Sequence, residues 1–89
     1  MLVRLFGFLR EVAKETELEL DAASPSLLLH ELSARYGPEW DRIVTLPGSD
    51  KGFLGIICVN GRCLEENELE SFRIDNGDTV MIIPPLKGG

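Results

Sequence analysis

The residues with the clearest chemical potential are Gly88 and Gly89 at the end of the sequence. Glycine has no Cβ, so a Gly-Gly end threads a narrow channel and lets another protein's active site close around it. A terminal carboxylate titrates at about 3.3 to 3.7 and is therefore ionised at neutral pH, which makes it a poor electrophile until it is activated. We expect the Gly89 carboxylate to be the reactive group once it has been activated. The alternative is a small, disordered terminus with no chemical role.

Two prolines, Pro84 and Pro85, separate the glycines from an apolar run at residues 79–83. Consecutive prolines favour an extended chain of about 3.1 Å per residue, so residues 84–89 reach roughly 18 Å into a partner. Prolines also end a strand, because they cannot donate a ladder hydrogen bond. We predict a domain over residues 1–83 and an extended, flexible tail over residues 84–89.

Other catalytic and metal-binding groups are sparse. The sequence has one histidine, His30, and two cysteines, which are too few for a zinc site or a catalytic triad. It also lacks a glycine-rich phosphate loop. We expect no metal and no bound cofactor, and we place His30 on the surface of a helix.

The size and charge of the chain limit the classes of protein to which it can belong. A chain of 89 residues forms one domain with little room for a catalytic cleft, which favours a carrier or binding module over an enzyme. Fifteen acidic and nine basic residues give a net charge of −6, which argues against nucleic acid as a partner. This acidity suits a basic partner surface, and equally serves ordinary solubility. With no apolar run of membrane length and no signal-peptide pattern, we predict a cytoplasmic protein without a membrane partner.

Residue patterns predict a sequence of short elements. In the first half we expect strands over residues 2–8 and 17–20, a helical turn over 9–13, and a helix bounded by Ser24-Pro25 and Gly37-Pro38. In the second half we expect a helical turn within residues 39–46 and a mobile loop over 47–52. A strand over 53–59, an Asn60-Gly61 hairpin and a return strand over 62–64 should follow. We then expect a helical turn over 69–72, a turn over 75–78 and a last strand over 79–83.

The first and last strands are the most apolar and should be central neighbours, whereas residues 17–20 should form an edge. This pattern predicts an α+β fold of the β-grasp (ubiquitin-like) type, with a mixed sheet of four to five strands packed on one main helix. Alternation places Phe6 opposite Leu5, and Met81 opposite Ile82, on the two faces of the sheet. Periodicity does not say which face the helix covers, so Phe6 lies either on the open face or in the core.

The two cysteines flank the Asn60-Gly61 turn symmetrically. A two-residue hairpin sets Cys58 opposite Cys63 with Cα atoms about 4.5 Å apart, just within the range of a disulfide. A cytosolic protein keeps such cysteines reduced, so we favour free thiols.

With these elements in place, the whole chain resembles the ubiquitin-like MoaD/ThiS sulfur carriers, and most closely the small subunit of molybdopterin synthase (MoaD). The motifs that carry the resemblance are Leu5-Phe6 with Leu9-Arg10-Glu11, Val59-Asn60-Gly61-Arg62, Asp75-Asn76-Gly77-Asp78 and Ile83-Pro84-Pro85-Leu86-Lys87-Gly88-Gly89. The segment over residues 36–53 is more similar to the archaeal-type branch, some of whose members are also protein modifiers.

The resemblance implies a sulfur carrier without catalysis of its own. An E1-like (MoeB-like) activating enzyme would use ATP to adenylate Gly89, and a sulfur donor would convert it to a thiocarboxylate. A MoaE-like large subunit would then use it to build molybdopterin for molybdenum or tungsten. The resemblance and the strand alternation together predict nine partner-contacting residues: Phe6, Arg10, Cys63, Met81, Ile83, Pro84, Pro85, Leu86 and Lys87. Lys87 departs from the pattern, because the molybdopterin branch commonly has a small or polar residue there.

Three other functions are possible. The first is a protein modifier that would form an isopeptide bond through Gly89. The second is a sulfur carrier for thiazole or tRNA thiolation, which would use the same tail chemistry. The third is a binding module without activation.

Overall fold

The computed structural model describes residues 1–44 and 54–85. Its strands are β1 (Leu2–Leu5), β2 (Glu17–Glu19), β3 (Ile56–Val59), β4 (Arg62–Cys63) and β5 (Thr79–Ile83). Its α-helices are α1 (Phe8–Ala13), α2 (Pro25–Tyr36) and α3 (Pro38–Val44), and a 3₁₀ helix spans Glu66–Glu68. None of the helices in these two ranges is long and apolar enough to cross a membrane.

The five strands form one mixed sheet in the order β2-β1-β5-β3-β4. β1 and β5 run parallel, with Val3 beside Val80 and Leu5 beside Ile82. β2 pairs antiparallel with β1 at one edge, and β3 pairs antiparallel with β5. The β-grasp architecture, the parallel pairing of the first and last strands and the edge position of the second strand are confirmed.

The main helix, α2, begins and ends at the predicted signals. The Ser24 side chain accepts a hydrogen bond from the Leu27 N–H at 3.3 Å, and Gly37 ends the helix with a positive φ of 75°. Leu28 and Leu32 face the sheet and are fully buried, as expected for a helix with one apolar side. α3 adds Trp40, which is 1% exposed. The sequence predicts a helical turn there, but not the burial of its tryptophan.

The helices cover the face of the sheet that carries Val3, Leu5, Val80 and Ile82, all of which are buried. Phe6 is half-buried and lies outside this core. The prediction that Phe6 and Leu5 occupy opposite faces is therefore confirmed, and the alternative that places Phe6 in the core is wrong.

The tip of the β3–β4 hairpin, at Asn60, is hydrogen-bonded to the start of β5. Asn60 and Gly61 have positive φ values of 51° and 88°, as a two-residue hairpin of this type requires. The Asn60 amide donates to the Asp78 carboxylate at 2.8 Å, and the Thr79 N–H donates to the Asn60 side-chain oxygen at 2.9 Å. The Asp75 N–H and then the Asn60 amide hold the pKa of Asp78 below its usual value, so this link persists at neutral pH and weakens only as acid protonates the carboxylate.

The predicted helical turn over residues 69–72 is present, since the Phe72 N–H donates to the Glu68 carbonyl at 2.9 Å. A 3₁₀ helix at Glu66–Glu68, which the residue patterns do not predict, precedes it and begins with a reciprocal capping box between Glu65 and Glu68. The Glu65 N–H donates to the Glu68 carboxylate at 3.0 Å, and Arg62 donates to the same side chain at 2.6 Å. These bonds fix the start of the helical segment at Glu66, three residues before the predicted start.

The expectation of free thiols is also wrong, because Cys58 and Cys63 form a disulfide. The hairpin register pairs them directly across β3 and β4, with Cα atoms 3.8 Å apart. The Asn60-Gly61 turn brings the two cysteines close enough to form the bond. The prediction of free thiols depended on the cellular compartment and not on this geometry. Cys58 is fully buried and Cys63 is exposed.

The base of the tail packs against the link between β1 and α1. Gly7 adopts φ 59° and ψ −139°, a conformation that is essentially restricted to glycine. A Cβ at this position would lie 2.8 Å from Cγ of Pro84. Gly7 therefore allows the Pro84 ring to sit against the backbone, and this contact sets where the tail leaves the domain.

Two predictions fall outside the described ranges. The loop predicted over residues 47–52, together with Phe53 at the start of the predicted strand, belongs to residues 45–53, which the structure does not describe. Residues 86–89 lie outside it as well. The division into a domain over residues 1–83 and a tail over residues 84–89 stays a prediction.

Replacing Gly7 with alanine should destabilise the protein by about 2 to 3 kcal/mol, because it combines backbone strain with a clash against Pro84. Urea denaturation measures the change. Gly77→Ala is the matched control, since Gly77 has open space around its Cβ position, and it should stay within about 0.5 kcal/mol of the parent. Equal stability of the two variants would show that the Gly7–Pro84 contact does not constrain the fold.

Reducing the disulfide should lower the free energy of unfolding by about 2 kcal/mol, the loop-entropy value for a closed loop this short. Denaturation with and without a reductant measures the effect. Cys63→Ser should be insensitive to reductant and should match the reduced parent. A parent protein with the same denaturation midpoint under both conditions would contradict this expectation.

Candidate functional site

The face of the sheet that α2 leaves uncovered, called here the open face, carries the largest group of predicted contact residues. Strand register arranges its side chains in two rows that cross the strands. Both rows run close to the end of β5, where the tail begins.

The first row is apolar and reaches the tail base. Ile83 on β5 pairs with Ile56 on β3, and the Phe6 N–H donates to the Ile82 carbonyl at 3.2 Å, which extends the ladder of β1 beside Ile83. Ile56 is 48% exposed, and Phe6 and Ile83 are half-buried. An exposed apolar row of this kind, directly before Pro84, is typical of a protein-binding surface.

The second row mixes charge and sulfur. Arg4 pairs with Glu17 on one side and Met81 on the other, and Met81 pairs in turn with Cys58. The disulfide then continues the row to Cys63 at the far edge. Arg4 Nε lies 3.4 Å from the Glu17 carboxylate, and its guanidinium carbon lies 6.0 Å from the centre of the Phe6 ring. These contacts orient Arg4 across the edge of the apolar row.

The structure brings together four of the predicted contact residues, Phe6, Cys63, Met81 and Ile83, on the open face. Arg10 is exposed but belongs to α1, away from the strands. Pro84 and Pro85 lie at the tail base and are half-buried. The other predicted site residues, Leu86, Lys87, Gly88 and Gly89, lie outside the described residues.

Two exposed apolar residues near the tail base, Ile56 and Phe8, are not among the predicted contact residues. Ile56 is identifiable in retrospect, because alternation back from Cys58 places it on the same face. Phe8 was assigned to the end of the first strand, but β1 ends at Leu5 and α1 begins at Phe8, which is 60% exposed. The glycine between Phe6 and Phe8 was the available signal, since glycine weakens a strand and often marks its end.

A groove of about 320 Å³ lies on the other side of the tail base, between α1 and α3. Phe8, Val12 and Ile43 contribute apolar surface, and Pro84 and Pro85 complete its apolar lining. Two glutamates, Glu11 and Glu39, line the same groove and are exposed. The lining therefore combines an apolar surface with two carboxylates.

A larger cavity of about 460 Å³ lies between α2, α3 and the 3₁₀ helix. His30, Asp41 and Glu70 are among its lining residues, none of which belongs to α1 or β5. Size alone favours this cavity, but position favours the open face and the groove, because both border the tail base.

Within residues 1–44 and 54–85, no group of three or more His, Cys, Asp or Glu side chains is placed to hold a metal ion. His30 is exposed on α2, as expected. The open face and the groove both border the base of the tail at Pro84.

Comparison with known proteins identifies the family. The profile of the ThiS family matches residues 3–89, nearly the whole chain. No curated protein matches the sequence significantly.

Solved structures share this fold over almost their full length. Small archaeal modifier protein 1 (SAMP1) from Methanosarcina acetivorans is 29% identical, with a TM-score of 0.78 over 99% of this chain and 94% of that one. A Pyrococcus furiosus protein assigned as subunit 1 of a molybdopterin converting factor is 27% identical, with a TM-score of 0.70 over 96% and 95% of the two chains. Urm1 from Trypanosoma brucei is 26% identical, with a TM-score of 0.66 over 99% and 93%.

The family match extends to Gly88-Gly89, and it agrees with the β-grasp sheet and with the open apolar face beside the tail base. The chain belongs to the ThiS family of ubiquitin-like, MoaD/ThiS-type small sulfur carriers.

Proposed function

We propose that this protein carries sulfur on Gly89 for the synthesis of molybdopterin, as the small subunit of a molybdopterin synthase. The observation that carries the proposal is the family match through residue 89, which includes the Gly-Gly pair. The similarity to the molybdopterin converting factor subunit of P. furiosus supports this pathway in particular.

The proposed chemistry follows from the properties of a carboxylate. A Gly89 oxygen attacks the α-phosphorus of ATP on an E1-like (MoeB-like) enzyme and expels pyrophosphate, giving an acyl adenylate. A sulfur donor at the oxidation level of sulfide then attacks the acyl carbon, so that the C–O bond to AMP breaks as the C–S bond forms and sulfur replaces one carboxylate oxygen. Activation is needed because the ionised carboxylate resists nucleophiles and has no good leaving group.

The domain's own part is to deliver the tail. Pro84 packs on Gly7, so the tail leaves the sheet from a fixed point next to Phe6 and Ile83. In this proposal a MoaE-like large subunit covers the apolar row of the open face and receives the tail in its active site. Fixing the base reduces the entropy lost when the tip docks.

A second function, a protein modifier, is favoured by a separate observation. The similarity to SAMP1, a protein whose name describes a modifier, is at least as strong as that to the molybdopterin subunit, by both identity and TM-score. Modification and sulfur transfer share the acyl adenylate and differ in the nucleophile that follows, a lysine amine or a sulfur donor.

Intact mass spectrometry separates the two functions. After incubation with the E1-like enzyme, ATP and a sulfur source, a carrier should gain the mass difference between sulfur and oxygen. A modifier should instead give high-mass conjugates through lysine residues of other proteins. Conjugates without any sulfur exchange would reject the carrier function.

Removing Gly89, or converting its carboxylate to an amide, should abolish adenylation while changing the stability by less than about 0.5 kcal/mol, since an exposed terminus contributes little to folding. ATP–pyrophosphate exchange measures the adenylation, and urea denaturation measures the stability. The amide keeps the length and shape of the tail, so it should still bind the enzyme. Normal exchange by the amidated protein would disprove a role for this carboxylate.

Charging either end of the apolar row, by Phe6→Asp or Ile83→Asp, should weaken binding to the large subunit by more than about 2 kcal/mol, because apolar anchors at the centre of an interface contribute that much. Isothermal titration calorimetry with the large subunit measures the loss. Leu27→Asp is the matched control, as Leu27 is 55% exposed on α2 and should leave the affinity unchanged. Equal affinities for all three variants would place the interface elsewhere.

A further inference from the structure

The groove between α1 and α3 is not used by the proposed function, although it borders the tail base directly. It is separate from the open face, because its residues come from α1, α3 and the two prolines. Among the described residues its lining is apolar apart from the two exposed glutamates, and no lysine or arginine of residues 1–44 and 54–85 lines it.

The length of the tail limits how far a partner can be from this groove. Four residues follow Pro85, and four fully extended residues span at most about 14 Å. An enzyme that holds the Gly89 carboxylate in its active site therefore has its surface within that distance of Pro85, which itself lines the groove. The groove lies beside any partner that closes around the tail.

The composition of the groove indicates what fits there. Phe8, 60% exposed, offers an aromatic surface to an apolar side chain. Glu11 and Glu39 offer two carboxylates to a cation, and a guanidinium also stacks well on an aromatic ring. The net charge of −6 favours approach by a basic surface.

We propose that this groove docks the activating enzyme, through a segment that places an apolar side chain next to an arginine or lysine. The inference rests on the proposed function only in requiring adenylation of Gly89, a step that sulfur carriage and protein modification share. Phe8 supplies the apolar contact, and Glu11 and Glu39 pair with the cation.

The test measures kcat/KM for ATP–pyrophosphate exchange by the E1-like enzyme of the same organism, with full-length variants as substrates. Phe8→Ala and the double variant E11K/E39K should each lower kcat/KM about tenfold, mainly through KM, since docking is lost while the carboxylate is intact. The KM of the parent should rise with salt more steeply than that of E11Q/E39Q, which lacks the two charges.

Matched controls separate docking from general effects of charge and hydrophobicity. Leu27→Ala removes an apolar side chain of similar exposure, 55%, from α2. E31K/E70K makes the same change in net charge at exposed positions outside the groove. Both should stay within about twofold of the parent.

Each outcome decides a separate question. If the parent supports exchange and the groove variants have the same kcat/KM as the controls, the docking inference is overturned and the proposed function is unaffected. No exchange by the parent would reject the proposed function, and the docking inference with it. A loss in E11K/E39K that disappears in the Lys87→Gln background would assign the two glutamates to this chain's own tail, and would also overturn the inference.

Discussion

The rest of the structure depends on the parallel pairing of β1 with β5, the first and last strands. Parallel strands end at the same edge of a sheet, so the end of β1 at Leu5 and the end of β5 at Ile83 are neighbours. The chain therefore turns into α1 at Gly7 in the place where the tail begins at Pro84. The contact between Gly7 and Pro84 follows from this topology, because an antiparallel pair would have placed the two chain segments at opposite edges.

At that shared edge, the base of the tail lies between two surfaces of different composition. On one side lies the apolar row of Phe6, Ile83 and Ile56, next to the second row, in which Met81 adjoins the disulfide. On the other lies the groove between α1 and α3, apolar in its lining but with two glutamates. The first surface favours burial against another apolar surface, and the second adds attraction to a cation, which is weakened by salt. The tail thus begins between two surfaces with different preferences.

Local signals in the sequence predicted most of the fold. Ser24-Pro25 and Gly37 bounded α2, and Asn60-Gly61 fixed the register that pairs Cys58 with Cys63. Alternation separated Phe6 from Leu5 but did not reveal the covered face, because both faces of β1 and β5 carry apolar residues; the packing of Leu28 and Leu32 decides it. Phe8 and the groove were not predictable, since they depend on α1 and α3 meeting in space. The hairpin geometry permits a disulfide, whereas a cytosolic compartment predicts free thiols, and the sequence does not show which of the two conditions decides.

The fold alone does not distinguish a sulfur carrier from a protein modifier, because the chemistry of the two is identical up to the acyl adenylate. The glycines are common to both functions, so they carry no information about the nucleophile that follows. The distinction has to lie in the surface that selects the acceptor, which in our proposal is the open face. Its second row ends in the Cys58–Cys63 disulfide, and only Cys63 is exposed. Reduction of that bond would therefore expose a thiol on the open face, whereas the groove is built from α1, α3 and the tail base and contains neither cysteine.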